Sequence, residues 1–369
     1  MGAYAKLLSA GGSRSKHGIM GKGNVEDMNA VDFFCGGGGM TKGLLNAGIE
    51  VQCGLDFNPA CQKTYEHNNG IPYLCRNRTE VTPNELIKAY PVLADKNELL
   101  LVGCAPCQPF SNQRHAAYEH TAVNLLDEFG RFVKAMEPAC VLIENVPGIQ
   151  KRGHAVFERF LNLLDEMHYN VFYGVVNSKD YGVPQKRKRL ILIAAKDFVP
   201  AEPPQTHGEG LLPYVTVRDA INRFPPINAG ENDNTLFNHC ASALSHLNME
   251  RIIVTPHDGG SRLDWPQNLV LDCHNNGYNG HTDVYGRMRW DEVSPTLTSK
   301  CFSLSNGRFG HPEQDRAISL REAAAIQSFD DNYQFFGSIQ EIGRQIGNAV
   351  PVLLAQRIGE YILRQHEHH

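Results

Sequence analysis

Residues 30–39 read Ala30-Val31-Asp32-Phe33-Phe34-Cys35-Gly36-Gly37-Gly38-Gly39. The first half is apolar and strand-like, the second half is a glycine loop, and a helical pattern then runs to Gly48. A second strand-like run, Ile49–Asp56, ends in an acid. A strand, a glycine loop, a helix and a second strand in this order are typical of a nucleotide-binding unit, whose loop lies at the carboxyl edge of a parallel sheet.

Strands and helices continue to alternate up to about residue 200, which predicts an α/β domain with a mostly parallel sheet. Further strands are predicted at Glu98–Val102, Cys140–Ile143, Asn170–Val176 and Leu190–Ala195, and helices at Pro59–Asn68, Val123–Met136 and Ala155–Met167. After several prolines, residues 214–300 show little periodicity. We therefore predict a flexible arm at 1–29, a first domain at 30–200, a smaller loop-rich domain at 201–300, and a C-terminal segment at 301–369 that rejoins the first domain.

Composition excludes several classes of protein. The 369 residues are 42% hydrophobic and 20% charged, which is ordinary for a globular chain. The net charge of −5 does not indicate a nucleic-acid binder, so any basic surface has to be local. There is no apolar run of about 20 residues and no signal-peptide block, and the ten cysteines are scattered. We expect a cytoplasmic protein.

The glycine loop and Asp56 predict an adenosine-type ligand. Asp56 ends the second strand twenty positions after Gly36, where an acid accepts hydrogen bonds from ribose hydroxyls. The dinucleotide fingerprint fails because its third glycine would fall on Thr41. The loop therefore suits an adenosine ligand without a pyrophosphate, such as S-adenosylmethionine. A plain glycine turn is the alternative.

The segment Cys104-Ala105-Pro106-Cys107 follows a strand and has three interpretations. A zinc site would need a second pair of ligands at a suitable spacing, and the next cysteine, Cys140, is alone. A redox dithiol fits the spacing. Alternatively, Cys107 is a nucleophile at a strand-to-loop site. The segment alone leaves the last two open, and no metal is predicted.

Two further motifs carry groups suited to catalysis. Glu144 follows the strand Cys140–Ile143 and is a candidate acid or base, with a solvated turn residue as the alternative. Arg187 and Arg189 alternate with Lys188, which predicts two guanidinium groups on one face of a strand. A solvated basic edge or a nuclear-localisation run is the alternative for this pair.

Taken together, the motifs resemble the DNA (cytosine-5)-methyltransferase family, in its stand-alone prokaryotic restriction-modification form. The matching blocks come in the family's order: residues 32–39, 105–111, 144–146, 185–189, 294–298, 321–329 and 346–351. The resemblance implies a Rossmann-like S-adenosylmethionine-dependent methyltransferase domain, with a target recognition domain at 201–300. It also implies methyl transfer to C5 of a flipped-out cytosine in duplex DNA.

The resemblance assigns roles to individual residues. Those implied for catalysis are Cys107, as the nucleophile that adds to C6, Glu144 at N3 of the base, and Arg187 and Arg189. Those implied for substrate contact are Gln108, Ser111, Asn145, Val146 and Gln185. Those implied for S-adenosylmethionine are Phe34, Gly36, Gly38, Gly39, Met40, Asp56, Phe57, Asn77, Arg78, Pro106, Asn348 and Val350. Asn77-Arg78 departs from the family's acid followed by an apolar residue.

Duplex DNA is the implied partner, possession of a cognate restriction endonuclease is expected of this type, and the expected enzyme is a monomer. Arg251, Arg262, Arg287 and Arg289 are candidates for reading guanines or contacting phosphates. Three alternatives remain: a tRNA cytosine-5 methyltransferase, a dithiol oxidoreductase using Cys104 and Cys107, and a non-catalytic DNA-binding module.

Overall fold

A seven-stranded sheet forms the centre of the molecule in the computed structural model, which describes residues 28–76, 81–105, 119–274 and 283–368. The strands lie in the order β3-β2-β1-β4-β5-β7-β6, and β7 runs antiparallel to both of its neighbours while the others are parallel. The predicted, mostly parallel α/β sheet is confirmed. The strands are β1 Asn29–Phe33, β2 Glu50–Asp56, β3 Tyr73–Cys75, β4 Leu99–Gly103, β5 Cys140–Asn145, β6 Asn170–Asn177 and β7 Lys188–Ala195.

The helices of the described residues divide between the sheet and the C-terminal half. They are α1 Gly39–Ala47, α2 Gln62–Asn69, α3 Pro83–Ala89, α4 Glu119–Met136, α5 Ile149–Arg152, α6 His154–Glu166, α7 Val217–Ile221, α8 His246–Val254, α9 Leu320–Ile326, α10 Ile339–Asn348 and α11 Val352–His366. Ser319 and Glu322 form a capping box at the start of α9. In the described parts of the chain, no helix combines the length and the apolar character that crossing a membrane requires.

Both faces of the sheet are buried, so its strands read as continuous apolar runs. In β4, Leu100 and Val102 belong to one apolar cluster, whereas Leu99 and Leu101 belong to another. Alternate residues of a strand point to opposite faces, so these two clusters are the two sides of the sheet. The first includes residues of α1 and α11, and the second includes residues of α4 and α6.

Helix α11 packs against α1, so the end of the chain lies on the first sheet face. The two helices approach closely at glycines: a Cβ on Gly43 would lie 2.4 Å from the Cβ of Ala355, and one on Gly359 would lie 2.8 Å from the Cβ of Ala47. Leu354 and Ile358 fill the same cluster as Met40 and Leu44. The N-terminal and C-terminal parts of the chain therefore share one core.

The second half of the chain has a core of its own with little regular structure. Val217, Trp290, Phe309 and residues of α9 and α10 form one cluster, and a smaller cluster surrounds Trp265. Buried arginines bind the backbone carbonyls in place of regular hydrogen-bond ladders. Arg287, for example, donates to the carbonyls of Thr255, Ile252, His311 and Gln314. The domain boundaries at 200 and 300 stay predictions.

Candidate active site

The glycine loop after β1 is held by Asp56 at the end of β2. The backbone N–H of Gly36 donates to one carboxylate oxygen of Asp56 at 2.9 Å, and that of Asn58 donates to the other at 3.0 Å. Burial raises the pKa of Asp56, while these backbone hydrogen bonds lower it. Each carboxylate oxygen keeps a second lone pair, so Asp56 can still accept from a ribose hydroxyl.

The glycines of this loop serve two different purposes. Gly36 has a φ of 51°, and a Cβ there would meet nothing within 4 Å, so its surface is open. A Cβ on Gly38, at a φ of 91°, would lie 2.6 Å from the Tyr333 hydroxyl, and one on Gly39 would lie 2.4 Å from the Val350 carbonyl oxygen. Gly36 therefore offers space for a ligand, whereas Gly38 and Gly39 are needed for packing against the C-terminal segment.

The other residues expected at the cofactor are in different environments. Phe57 is 62% exposed beside Asp56, as a stacking ring requires. Phe34 has a φ of 62°, which turns the chain into the loop, and Asn348 is exposed at the end of α10. Met40 is 2% exposed and lies in the apolar core, so its side chain does not face the open side of the loop.

Glu144 and Arg189 meet between β5 and β7. Arg189 Nε lies 2.8 Å from Glu144 Oε1, and both side chains are largely buried. Glu144 pairs with Ile191 in the antiparallel register, and Arg189 is two residues from Ile191 along β7. The pair is therefore a diagonal cross-strand pair, at the same edge of the sheet as the glycine loop. This arrangement fixes a carboxylate and a guanidinium side by side.

The expectation that Arg187 and Arg189 lie on one face of a strand is not met, because the strand begins at Lys188 and Arg187 lies before it. Arg187 is 2% exposed and donates to the carbonyls of Leu297, Gly347 and Ala349 at 3.0 to 3.1 Å. Gln185, also expected at the substrate, is fully buried and hydrogen-bonds to Gln327 and to the Leu297 amide. Arg187 precedes β7, so its side chain does not follow the alternation of side chains between the two faces of that strand. It joins three separate chain segments instead.

Asn145 connects β5 to the segment that leads into Cys107. Its side-chain amide donates to the Ala105 carbonyl at 3.3 Å, and its Oδ1 accepts from the Val146 backbone N–H at 2.8 Å. Asn145 is 1% exposed, so in this structure its side chain has a structural role and joins the end of β5 to Ala105. Six expected site residues lie outside the described residues, namely Asn77, Arg78, Pro106, Cys107, Gln108 and Ser111.

A buried polar group beneath the glycine loop was missed. Asp32 is fully buried in β1 and accepts from the Thr41 hydroxyl at 2.7 Å, which lies 2.9 Å from the Tyr65 hydroxyl. Its Oδ1 has no hydrogen-bond partner among the described residues. Burial raises the pKa of Asp32 to about 7. The sequence feature that could have indicated this buried group is an aspartate inside an otherwise apolar strand.

The four arginines proposed for DNA reading divide into two groups. Arg251, Arg262 and Arg287 are at most 7% exposed, so their burial makes them structural. The Arg289 side chain is 54% exposed. Arg289 also lines a pocket of about 360 Å³ with Met288, Glu292 and Ser294 among its other residues. Arg289 alone of these four is placed to reach a base or phosphate without unfolding.

Comparisons with known proteins agree with this geometry. The family model for the C-5 cytosine-specific DNA methylase matches residues 28–364. The chain is 43% identical over 343 residues to the Type II methylase M.HgiDII of Herpetosiphon aurantiacus, with 90% of this chain and 94% of that relative covered. It is 32% identical to the Type II methyltransferase M1.HphI of Haemophilus parahaemolyticus, with coverage of 90% and 86%.

A solved structure shows the same fold. A DNA modification methyltransferase encoded within an E. coli prophage superposes with a TM-score of 0.73 at 21% identity, covering 92% of this chain and 99% of that one. The resemblance drawn from the ordered motifs is thereby confirmed. Because the family model spans residues 28–364 and the chain is 43% identical to M.HgiDII over 90% of its length, the chain belongs to the C-5 cytosine-specific DNA methylase family and is a DNA (cytosine-5)-methyltransferase.

Proposed function

We propose that this enzyme acts on cytosines within a specific duplex sequence, and that Cys107, Glu144 and Arg189 do the chemistry. The observation that carries the proposal is the Glu144–Arg189 ion pair, at 2.8 Å, on the sheet edge that also bears the glycine loop. Asn145, next to Glu144, holds the backbone of Ala105, two residues before Cys107. The ion pair lies at this edge, and the proposal adds Cys107 there because it follows Ala105 by two residues in the sequence.

Cytosine C5 is a poor nucleophile, so the ring has to be made electron-rich first. The Cys107 thiolate adds to C6 and pushes electrons toward C5 and N3. Glu144 holds a proton at N3, and Arg189 donates to the base carbonyl, which stabilises the charge in the ring. After methylation, loss of the C5 proton and departure of the Cys107 sulfur restore the aromatic ring.

The residues around Gly36 fit S-adenosylmethionine. Gly36 leaves open space, the Asp56 carboxylate has unused lone pairs, and the Phe57 ring is exposed. Asp56 would bind the ribose hydroxyls and Phe57 would stack on the adenine. When bound, S-adenosylmethionine supplies an electrophilic methyl group. Arg187 becomes a positioning residue in this proposal, because it holds the chain on both sides of Asn348.

Duplex DNA buries its bases, so the target cytosine has to swing out of the stack to reach Cys107. Two relatives carry the name Type II methylase or methyltransferase, and this supports a restriction-modification role with a cognate endonuclease as the functional partner. We further propose that the enzyme works as a monomer at the nucleoid.

The test is transfer of a labelled methyl group. The protein is incubated with radiolabelled S-adenosylmethionine and either genomic duplex DNA or tRNA, and Cys107→Ser is assayed in parallel. We expect label in duplex DNA from the native enzyme and none from the variant. Label in tRNA alone, or reduction of insulin disulfides without methyl transfer, would contradict the proposal.

A further inference from the structure

A cluster of metal-binding side chains lies away from the catalytic edge. Cys140 begins β5, Asp197 follows β7, and His366 ends α11. One donor atom from each, a sulfur, an oxygen and a nitrogen, lies within 4.8 Å of the other two. The glycine loop follows the carboxyl end of β1, whereas Cys140 is at the amino end of a strand parallel to β1. The cluster is therefore at the opposite edge of the sheet.

The fold assembles this cluster from separate elements. The antiparallel register places Cys140 opposite Ala195, and the Lys196 N–H donates to the Ala139 carbonyl at 3.1 Å, which brings Asp197 beside the start of β5. Helix α11 packs along α1 and delivers His366 to the same place. Backbone pairing thus fixes two of the three donors.

A fourth group completes the arrangement. His366 Nε2 lies 3.2 Å from a carboxylate oxygen of Glu98, just before β4, while Nδ1 contacts Asp197. Metal-bound histidines usually donate their other ring N–H to a carboxylate, which fixes the tautomer and the ring orientation. The cluster therefore contains both the direct ligands and the supporting partner of such a site.

The cluster is buried at Cys140 and open to solvent at Asp197. Cys140 is fully buried, the His366 and Glu98 side chains are each 13% exposed, and the Asp197 side chain is 29% exposed. A divalent ion would neutralise the two carboxylates and stabilise the Cys140 sulfur as a thiolate.

We propose that Cys140, Asp197 and His366 bind one divalent ion of the zinc class, with Glu98 orienting His366. A mixed sulfur, nitrogen and oxygen donor set suits Zn²⁺ better than Mg²⁺ or Ca²⁺, which prefer oxygen alone. Binding displaces two protons to solvent, the one on the Cys140 sulfur and the one that His366 Nδ1 shares with Asp197, and the sulfur, Nδ1 and an Asp197 oxygen then coordinate the ion. The ion fastens the end of α11 to the sheet, so its role is structural and independent of methyl transfer.

The test titrates metal into protein freed of metal by a chelator. Co²⁺ is added first, because a cobalt–thiolate bond gives a near-ultraviolet charge-transfer band that carboxylate or histidine binding does not. We expect one equivalent to saturate the band, Zn²⁺ to abolish it by displacement, and either ion to raise the melting temperature. Cys140→Ser should lose the band, and His366→Gln should weaken binding at least tenfold.

Matched controls separate this site from casual binding by exposed groups. His368 is exposed two residues beyond His366, and Cys273 is an exposed thiol, so His368→Gln and Cys273→Ser should both keep the band. If Cys140→Ser does not fold, Asp197→Asn and His366→Gln decide the question. No band in the native protein, or a band lost in His368→Gln but kept in His366→Gln, overturns the proposal.

Discussion

Arg189 Nε lies 2.8 Å from Glu144 Oε1, across the antiparallel pair of strands β5 and β7. Neither residue has much freedom, because each side chain is at most 14% exposed and each strand lies between two others in the sheet. The contact therefore presents a carboxylate and a guanidinium as one preorganised unit. In the proposed mechanism, a base that enters beside this pair meets Glu144 at its ring nitrogen and Arg189 at its carbonyl oxygen.

The first prediction concerns this pair. Glu144→Gln should lower kcat by a factor on the order of 10² to 10⁴, because a positioned acid–base group contributes about that much. Arg189→Lys should also lower kcat, since lysine lacks the planar fork. Single-turnover methyl transfer to duplex DNA measures both, and calorimetry should show unchanged binding of S-adenosylhomocysteine.

A surface glutamate provides the control. Glu158 is an exposed residue of α6, and Glu158→Gln should leave kcat unchanged. The double variant Glu144→Gln/Arg189→Lys should lose less than the product of the two single losses, because the residues act together. Fully multiplicative losses would show that the two side chains work independently.

The second prediction separates the two purposes of the loop glycines. Gly36→Ala should cost about 1–2 kcal/mol of folding stability for its positive φ and should mainly weaken binding of S-adenosylhomocysteine. Gly39→Ala should instead lower the melting temperature strongly, because its Cβ would lie 2.4 Å from the Val350 carbonyl oxygen. Calorimetric binding and thermal unfolding on both variants check this. If both variants change ligand binding and melting temperature equally, Gly36 and Gly39 do not serve different purposes.

The third prediction distinguishes the two arginines. Arg187→Met should lower the free energy of unfolding by about 3 kcal/mol or more, because the buried carbonyls of Leu297 and Gly347 lose the donor that Arg187 supplies and that of Ala349 keeps only Gln327. Arg189→Lys should change it by less than about 1 kcal/mol. Urea unfolding measures both. If the Arg187→Met protein is as stable as the native one but inactive, the prediction is wrong and Arg187 acts in catalysis.

The fourth prediction follows from Asp32. Burial raises its pKa to about 7 in the folded state, from an ordinary value of 3.8 for an aspartate in water. Between these two values the folded state holds a proton that the unfolded chain has lost, so the contribution of Asp32 to stability falls as pH rises toward 7. Relative to Asp32→Asn, the native protein should lose a few kcal/mol between pH 5 and pH 8 in urea titrations. A pH-independent difference would contradict a buried neutral acid.

Local patterns predicted much of this molecule. The apolar runs predicted β1, β4, β5 and β7. Strands that are buried on both faces are continuous apolar runs, so they can be recognised without knowing which strands they pair with. The short strand Tyr73–Cys75 and helix α10 were missed. Three residues carry no periodicity, and α10 starts in a polar stretch whose apolar residues Ile342 and Ile346 pack in the cluster that contains Trp290 and Phe309.

Local sequence patterns do not predict contacts between distant parts of the chain. Nothing near Gly39 in the sequence indicates that Val350 will press against it, so the glycine was assigned to a ligand alone. Arg187 and Arg189 are both basic residues in one motif, and only the fold shows that the first is enclosed by Leu297, Gly347 and Ala349. Tertiary packing, which the local sequence does not specify, decides which of these residues face solvent.

The most direct test of the mechanism is covalent trapping. Long duplex DNA is made by replication with the triphosphate of 5-fluoro-2′-deoxycytidine and incubated with the enzyme and S-adenosylmethionine. Fluorine cannot leave as a proton does, so the account predicts a stable protein–DNA adduct that peptide mapping places on Cys107. Efficient methylation of ordinary DNA with no adduct on the fluorinated duplex, or a methyl group on the exocyclic amine of cytosine, would contradict it.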